Sequence, residues 1–240
     1  MEGNNLYVYC ISYYRPDLER DTVTGHDNQP VFFIPYHELA ACVSTTSLTS
    51  MEAGYERLKC HEDMISGLME KTDILPMRFS TICKSRESVT EMLRKYYDQF
   101  VSNLAYISGR IELGIKVFYK LDFEKEDKKD KELLKVPREY MMKRYERYCE
   151  RQSKIEESLS AIEKYHRGLK DIAVDSCYTK PLKNNLIFNA SYLVEGEKKD
   201  SFDLAVEKMK EDNSAYKILY SGPWPAYHFV NIVKEGEEDG

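Results

Sequence analysis

The 240-residue sequence lacks the short motifs that mark reaction centres. It has no GxSxG, GxGxxG, P-loop or HExxH pattern, and its five histidines are scattered. Acidic pairs such as Glu62-Asp63 and Glu156-Glu157 are adjacent, so on a helix their side chains diverge by about 100° and cannot act as a dyad. The sequence therefore predicts no catalytic residue, no cofactor and no metal site, and it does not indicate an enzyme.

Long apolar runs and a strong basic excess are also missing. No segment approaches 18 consecutive apolar residues, so no transmembrane helix is predicted. The opening MEGNNLYVYC lacks the basic region and the longer apolar run of a signal peptide. A net charge of −6 argues against a nucleic-acid-binding domain. We expect a cytoplasmic protein with neither a membrane nor a nucleic acid as partner.

The cysteines never form a CxxC pair, and most lie in apolar runs, which predicts reduced and mostly buried thiols. Cys60-His61 is the one adjacent Cys–His pair, and a metal site there would need two more ligands. His166 lies on the apolar seam of a predicted helix, which favours a hydrogen-bonded interior histidine. The six cysteines are Cys10, Cys42, Cys60, Cys83, Cys149 and Cys177.

The first 109 residues predict an α+β domain. LYVYCIS (6–12) is predicted as a strand with both faces covered, Leu6, Val8 and Cys10 pointing one way and Tyr7, Tyr9 and Ile11 the other. Short strands are expected at 31–35 and 38–44. Helical spacing follows from Met51, with Met51, Tyr55, Leu58, Ile65 and Met69 on its apolar face. A second helix is expected from Arg86 to Ser108, ended by Gly109.

The next hundred residues predict the element order βαββαβ. The sequence alternates clearly at 111–121 and 186–194, and shorter strands are expected near 172–178 and at 216–222. Pro137 suits the first turn of a helix over 138–170. At 1.5 Å per residue that helix is about 48 Å long, so one end must project beyond its sheet or lie along another helix. The later helix is expected to be capped by Asp200 or Ser201.

This order is that of a ferredoxin-like unit. The predicted fold is therefore α+β with two domains, the second a modified ferredoxin-like (βαββαβ) unit with a long helix, plus a C-terminal tail. The expected boundaries are 1–109 for the N-terminal domain, 110–213 for the ferredoxin-like domain, and 214–240 for the last strand and the tail.

Two segments have unusual composition. LPMRFST (75–81) places Arg78 within an apolar stretch, which favours a buried clamp satisfying backbone carbonyls or a carboxylate over a partner-binding role. SGPWPAYHFV (221–230) holds the only tryptophan, Trp224, between two prolines after Gly222. We expect Trp224 to be a core plug, with a binding anchor as the alternative, and an added strand to follow it.

Together these segments resemble the gas vesicle protein F/L family. LYVYCI, LAACVS, a helix bearing Glu62, IELGIKVF and the two motifs occur in the family's order along nearly the whole chain. The family patterns are close to LPMRFGT and GPWPPYSFV. Here Ser80 replaces a glycine, Ala226 replaces a proline, and His228 replaces a small polar residue.

The resemblance implies an accessory protein needed for gas vesicle assembly, located at the gas vesicle and in the cytoplasm. It implies non-covalent binding to the hydrophobic major shell protein, as a minor structural or nucleating component, and contact with other accessory gas vesicle proteins. The alternative is a small-ligand-binding regulatory protein with a ferredoxin-like domain, because such units often hold effectors. An enzyme ranks third, and fold alone does not separate the three.

Overall fold

The structure, a computed structural model, describes residues 5–18, 24–120, 137–179 and 185–233. It contains two β-sheets, each accompanied by helices, so the predicted α+β class is confirmed. The chain divides into two compact units. The first consists of Met1–Ile111 together with Trp224–Gly240, and the second of Glu112–Pro223. The C-terminal segment is therefore part of the first unit, while most of the strand preceding it belongs to the second.

The first unit is built on an antiparallel sheet in the order β2-β3-β1-β4, with β5 also paired to β1. All residues from 6 to 11 are buried, so both faces of β1 are covered, as the sequence predicted. The strands are β1 (Asn5–Tyr13), β2 (Val31–Tyr36), β3 (Leu39–Thr46), β4 (Ile74–Pro76) and β5 (Ile82–Cys83).

A β-bulge at Tyr9 changes which side chains of β1 share a face. Val8 is opposite Val43 and Cys10 is opposite Cys42, so Tyr9 is an additional residue in the strand. Cys10 consequently joins Tyr9 in one buried cluster, and the predicted strict alternation is wrong at this point. The sequence contains no signal for the bulge, because Tyr9 is neither glycine nor proline.

Three helices accompany this sheet. The first begins at Tyr55, not at Met51, and buries His61, Met64, Ile65 and Leu68. Tyr55 and Leu58, predicted to lie on its apolar face, are exposed. The single helix predicted for 86–108 is two helices, because the backbone of Tyr96 leaves helical geometry at φ −108°. The three are α1 (Tyr55–Met69), α2 (Arg86–Lys95) and α3 (Tyr97–Ile107).

The second unit follows the predicted βαββαβ element order, and its sheet has the strand order β7-β8-β6-β9. Alternate residues of β6 and β8 supply its core with α4 and α5. The elements are β6 (Arg110–Tyr119), α4 (Pro137–Ile172), β7 (Asp175–Tyr178), β8 (Leu186–Glu195), α5 (Lys199–Asp212) and β9 (Tyr216–Trp224).

Helix ends agree with the sequence in two places and differ in a third. The long helix begins at Pro137, and Gly109 follows α3 with φ +68°, a left-handed conformation that glycine adopts without strain. Helix α5 begins at Lys199, and Lys198, its N-cap, makes no side-chain capping bond. The expectation that Asp200 or Ser201 caps it is therefore wrong.

Residues after β9 form no further strand. Gly222 turns the chain with φ +119°, residues 227–229 make a turn, and the Phe229 N–H donates to Ala226 O at 3.2 Å. The predicted added strand is absent from the described tail, residues 225–233. None of the described helices is long and apolar enough to cross a membrane.

Candidate functional site

Five rings form a buried cluster in the first unit. Tyr7 and Tyr9 come from β1, His61 from α1, Phe79 from the loop after β4, and His26 from a short 3-10 helix, His26–Asn28. Tyr7 lies at the centre, with its ring centroid 4.5 Å from that of His26 and 4.8 Å from that of Tyr9. Tyr7 and Tyr9, two residues apart, share one face of the strand by its ordinary alternation.

Hydrogen bonds determine the tautomer of His61. Its Nε2 lies 3.1 Å from Met77 O, and a carbonyl oxygen only accepts, so Nε2 carries the proton. Its Nδ1 lies 2.9 Å from the Tyr7 hydroxyl and therefore accepts. The Tyr7 oxygen in turn accepts the backbone N–H of Ser80 at 3.1 Å. Because both ring nitrogens are occupied, His61 is a structural histidine with no free nitrogen for a metal.

Burial sets the protonation of these groups. It lowers the pKa of His61 to about 4, and the neighbouring His26 acts in the same direction. Burial also lowers the pKa of His26 and raises that of Tyr9 to about 12. The Tyr9 oxygen accepts the backbone N–H of His26 at 2.8 Å, whereas His26 Nε2 has no partner among the described residues. The cluster is therefore neutral at pH 7.

The LPMRFST segment is fixed to this cluster by its backbone. Met77 N–H donates to Tyr9 O at 2.9 Å, and Met77 O accepts from His61. Ser80 has φ +68°, where the family pattern has glycine, and its Oγ accepts the Met51 N–H at 2.7 Å. His61 and Tyr7 could not be identified from the sequence as the anchors of this motif, since they lie 16 and 73 residues from Met77 and Ser80, the residues that they bind.

Arg78 is not the buried clamp that the sequence favoured. Its side chain is exposed, and within the described residues no hydrogen bond or ion pair of its guanidinium is found. Only its backbone is engaged, because Arg78 O accepts from both the N–H and the hydroxyl of Thr81. The segment presents Arg78 to solvent at the tip of a turn, which makes it available to a partner.

Trp224 is half-buried, so it is not the fully buried plug that we expected. The two residues after it, Pro225 and Ala226, are buried. Between Gly222 and Pro225 the indole is held by restricted backbone, and part of its surface remains accessible. Trp224 is therefore partly packed, as a core plug would be, and partly accessible, as a binding anchor would be.

The long helix α4 differs between its two halves. Ser158, Ile162 and Leu169 are buried, and α4 contacts α5 and β8. His166 Nδ1 lies 2.7 Å from the Tyr192 hydroxyl, so His166 is the hydrogen-bonded interior histidine that the sequence predicted. In the first half, Met141, Tyr145 and Tyr148 keep the same spacing but are exposed.

We call Met141, Tyr145 and Tyr148 the exposed stripe. Their side chains are 62%, 70% and 58% accessible. Residues spaced four and three apart lie on one line along a helix. Of the two outcomes predicted from the helix length, projection or packing along another helix, the structure shows contact of α4 with α5, and the first half of α4 carries exposed large apolar side chains.

Other candidate sites are weak. A polar cavity of about 220 Å³ in the first unit is lined by Asp27, Gln29, Thr45, Thr46 and Ser47. It lies outside the βαββαβ unit, where the ligand-binding alternative placed its effector. Within the described residues, no three His, Cys, Asp or Glu side chains are grouped to hold a metal ion.

An α+β protein whose long and largely polar helix exposes a line of three large apolar side chains, and whose titratable cluster is buried and hydrogen-bonded, has features typical of a protein-binding protein. The chain matches the family model described as "Gas vesicle synthesis protein GvpL/GvpF" over residues 5–231, and it belongs to that family. The resemblance drawn from the sequence is confirmed. Its role is an accessory one in the gas vesicle.

Individual relatives agree with this assignment. The chain is 29% identical to gas vesicle protein F1 of Halobacterium salinarum over 231 residues, which cover 95% of this chain and 93% of the relative. The crystal structure of GvpF from Anabaena sp. PCC7120 matches 96% of this chain and all of its own, with TM-score 0.79 and 23% identity. That of GvpF from Microcystis aeruginosa matches 95% and 99%, with TM-score 0.74 and 26% identity.

Proposed function

We propose that this protein binds the hydrophobic major shell protein of the gas vesicle non-covalently and acts in assembly as a minor structural or nucleating component. Family membership supports a place in gas vesicle assembly. A shell subunit with an apolar face in water would aggregate before it reached the growing wall. Covering that face requires an exposed apolar surface on the partner and no reacting groups.

The exposed stripe is the observation that carries this proposal. Met141, Tyr145 and Tyr148 follow one line on a helix, the arrangement by which an amphipathic helix enters an apolar groove. Fully burying a methionine side chain such as that of Met141 contributes about 1.5–3 kcal/mol, from which the cost of association is subtracted. Tyrosine also has few rotatable bonds, so little entropy is lost when it becomes ordered.

Basic side chains beside the exposed stripe would help to orient a bound partner. Arg138 and Arg144 are exposed beside it, within about 70° around the helix at 100° per residue, although the whole chain has a net charge of −6. A local basic rim favours a partner surface with acidic groups around an apolar centre, and it mainly affects the rate and specificity of encounter. Binding should therefore weaken moderately as salt is raised.

Copurification tests the proposal. Tagged protein carrying Tyr145→Glu and Tyr148→Glu is compared with wild type for recovery of the shell protein from vesicle-forming cells. We expect at least about a tenfold loss, since 1.4 kcal/mol changes an equilibrium tenfold. Leu204→Glu is the matched control, because Leu204 is 73% exposed on α5, a different helix of the same unit.

Wild-type recovery by the double variant, with helicity unchanged by circular dichroism, would refute a role of the exposed stripe. A second readout is restoration of bright vesicles, seen by phase contrast, in cells from which the gene has been deleted. The control variant should restore them and the double variant should not.

A further inference from the structure

Two buried cysteines lie directly opposite each other on neighbouring strands of the first sheet. Cys10 of β1 is the register partner of Cys42 of β3, and both side chains are fully buried. A hydrogen bond links the two side chains, and both are free thiols. The pair is therefore a dithiol that the backbones of two strands hold together.

The β-bulge at Tyr9 creates this pair. Continuing the register that precedes the bulge would place Cys10 opposite Ala41, on the other face of the sheet. The additional residue shifts Cys10 onto the face that Cys42 occupies, and both cysteines belong to one buried cluster. The irregularity that strict alternation did not predict is thus the feature that brings the two thiols together.

The separation of directly opposite residues suits a disulfide. Their Cα atoms are about 4.5–5.5 Å apart in an antiparallel pair, within the range of about 4.4–6.8 Å that disulfides span. Their Cβ atoms, about 4.5–5.5 Å apart, must approach to about 3.5–4.5 Å, a shift of about 1 Å. A bulged strand bends and twists more than a regular one, so β1 can absorb this shift.

We propose that Cys10 and Cys42 are a redox site, a dithiol that closes to a cross-strand disulfide and fastens β1 to β3. One thiolate attacks a small disulfide such as oxidised glutathione, which forms a mixed disulfide and releases one glutathione thiolate. The second cysteine thiolate then displaces the other glutathione and completes the protein disulfide. Two cysteine thiols are oxidised, oxidised glutathione is reduced to two thiols, and the two protons pass from the cysteines to the released glutathione.

Burial makes this exchange slow. Neither sulfur is accessible in the closed sheet, so attack requires transient opening of the strand pair or an encounter before folding is complete. The same packing protects the disulfide from reduction once it has closed. The redox state of the pair therefore changes only when the first sheet opens or folds.

The disulfide would lie next to the anchor of the LPMRFST segment. β1 and β3 are the inner strands of the sheet order β2-β3-β1-β4. Tyr9, the neighbour of Cys10, accepts the Met77 N–H at its carbonyl oxygen at 2.9 Å. A covalent link at this point restricts opening of the strand that holds the segment. We therefore expect the oxidised protein to hold LPMRFST more firmly than the reduced protein.

Equilibration with glutathione tests the proposal on the full chain. Reduced and oxidised protein are each refolded in mixtures of reduced and oxidised glutathione until both give the same fraction of the disulfide, which peptide mapping by mass spectrometry identifies. In an unfolded chain two linked groups meet at an effective concentration in the mM range, whereas opposite strands keep them in contact. We expect an equilibrium constant for oxidation at least tenfold larger in the folded protein than in concentrated urea.

Cys83→Ala is the matched control. Cys83 also lies on a strand paired with β1, but its register partner is Leu6, so this variant should keep the wild-type equilibrium constant. Cys42→Ala should lose the mapped disulfide. An equilibrium constant in the folded protein no larger than that in urea, or linkage of Cys10 to a different cysteine, would overturn the proposal.

Hydrogen exchange on the wild-type chain avoids any folding defect in the variants. The Met77 amide should exchange at least tenfold more slowly in the oxidised protein than in the reduced protein. Amides of β8, in the second unit, should exchange at the same rate in both forms. Equal exchange at Met77 in the two forms, or equal slowing in both units, would refute the effect of the disulfide on the LPMRFST segment.

Discussion

The Tyr7 hydroxyl oxygen and His61 Nδ1 lie 2.9 Å apart, although 54 residues separate them in sequence. The bond joins the first strand to the first helix. Because His61 also donates to Met77 O and Tyr7 accepts from Ser80, the same pair holds both ends of the LPMRFST turn. The conformation that presents Arg78 to solvent thus depends on a neutral histidine.

Acid should destabilise this arrangement. The folded-state pKa of His61 is lowered to about 4, and an unfolded histidine titrates near 6.5, so the folded state binds fewer protons between these values. Its contribution is complete above pH 6.5 and is lost as pH falls toward 4. We expect the free energy of unfolding, measured in urea, to fall by about 1–2 kcal/mol more between pH 7.5 and pH 5 in wild type than in His61→Gln.

His37 provides the control for that comparison. It is exposed and has φ +52°, so His37→Asn preserves a residue that tolerates this backbone. The pH dependence of His37→Asn should follow wild type. A His61→Gln protein with the wild-type pH profile would show that another group is responsible.

Ser80 has a strained backbone conformation and a side-chain hydroxyl that makes a stabilising hydrogen bond. Its φ of +68° is unfavourable for residues other than glycine, asparagine and aspartate, whereas its Oγ accepts the Met51 N–H at 2.7 Å. Ser80→Ala loses the bond and keeps the strain, costing about 1–2 kcal/mol. Ser80→Gly loses the same bond but relieves about 1 kcal/mol of strain. In chemical denaturation, the free energies of unfolding of wild type and Ser80→Gly should therefore be similar, and that of Ser80→Ala should be the lowest. Equal losses of stability in Ser80→Ala and Ser80→Gly would argue against backbone strain at this position.

Arg78→Ala should leave stability nearly unchanged, within about 0.5 kcal/mol, because its side chain is exposed. We expect thermal melting like that of wild type together with reduced vesicle formation when the variant replaces the wild-type gene. Thr81→Val is a useful comparison, since it removes the hydroxyl bond to Arg78 O within the same turn. A large drop in melting temperature for Arg78→Ala would restore the clamp interpretation.

Trp224→Ala should cost about 1–2 kcal/mol, below the 3–5 kcal/mol typical of a fully buried large aromatic, because Trp224 is only half-buried. Phe100→Ala, at a residue buried in the first unit, supplies the full-burial reference and should lose about 3–5 kcal/mol. Equal losses in urea denaturation would mean that the indole packs as completely as a core ring.

The local sequence pattern predicted most of the helices and strands. It failed where contacts between distant segments decide the local structure. The βαββαβ order could be found because the sequence alternates clearly at 111–121 and 186–194 and Pro137 suits the start of the long helix. The bulge at Tyr9 and the break at Tyr96 could not, since neither has glycine or proline at the irregular residue. The apolar face of α1 was misassigned because His61 belongs to it and Tyr55 does not.

Periodicity shows which residues share a face, but not what covers that face. Met141 and Ile162 have equivalent positions in the pattern of α4, yet the first is exposed and the second is buried. The ring cluster was missed for a related reason. His26, His61 and Phe79 come from separate segments, and only the folded sheet brings them together around Tyr7.

Thiol reactivity should separate the cysteines by position. All six are free, and Cys149 alone is exposed, four residues from Tyr145 on the long helix. The pKa of Cys42 is raised by a hydrogen bond with Cys10 and by burial, so little thiolate forms there.

Under native conditions we expect one rapidly alkylated cysteine by mass spectrometry, with Cys10 and Cys42 modified only after unfolding. Cys149→Ser should remove the fast phase, and bound shell protein should slow it in wild type. Rapid native modification of Cys10 or Cys42 would contradict the packing of the first sheet, whereas a fast phase unaffected by shell protein would place the contact away from the exposed stripe.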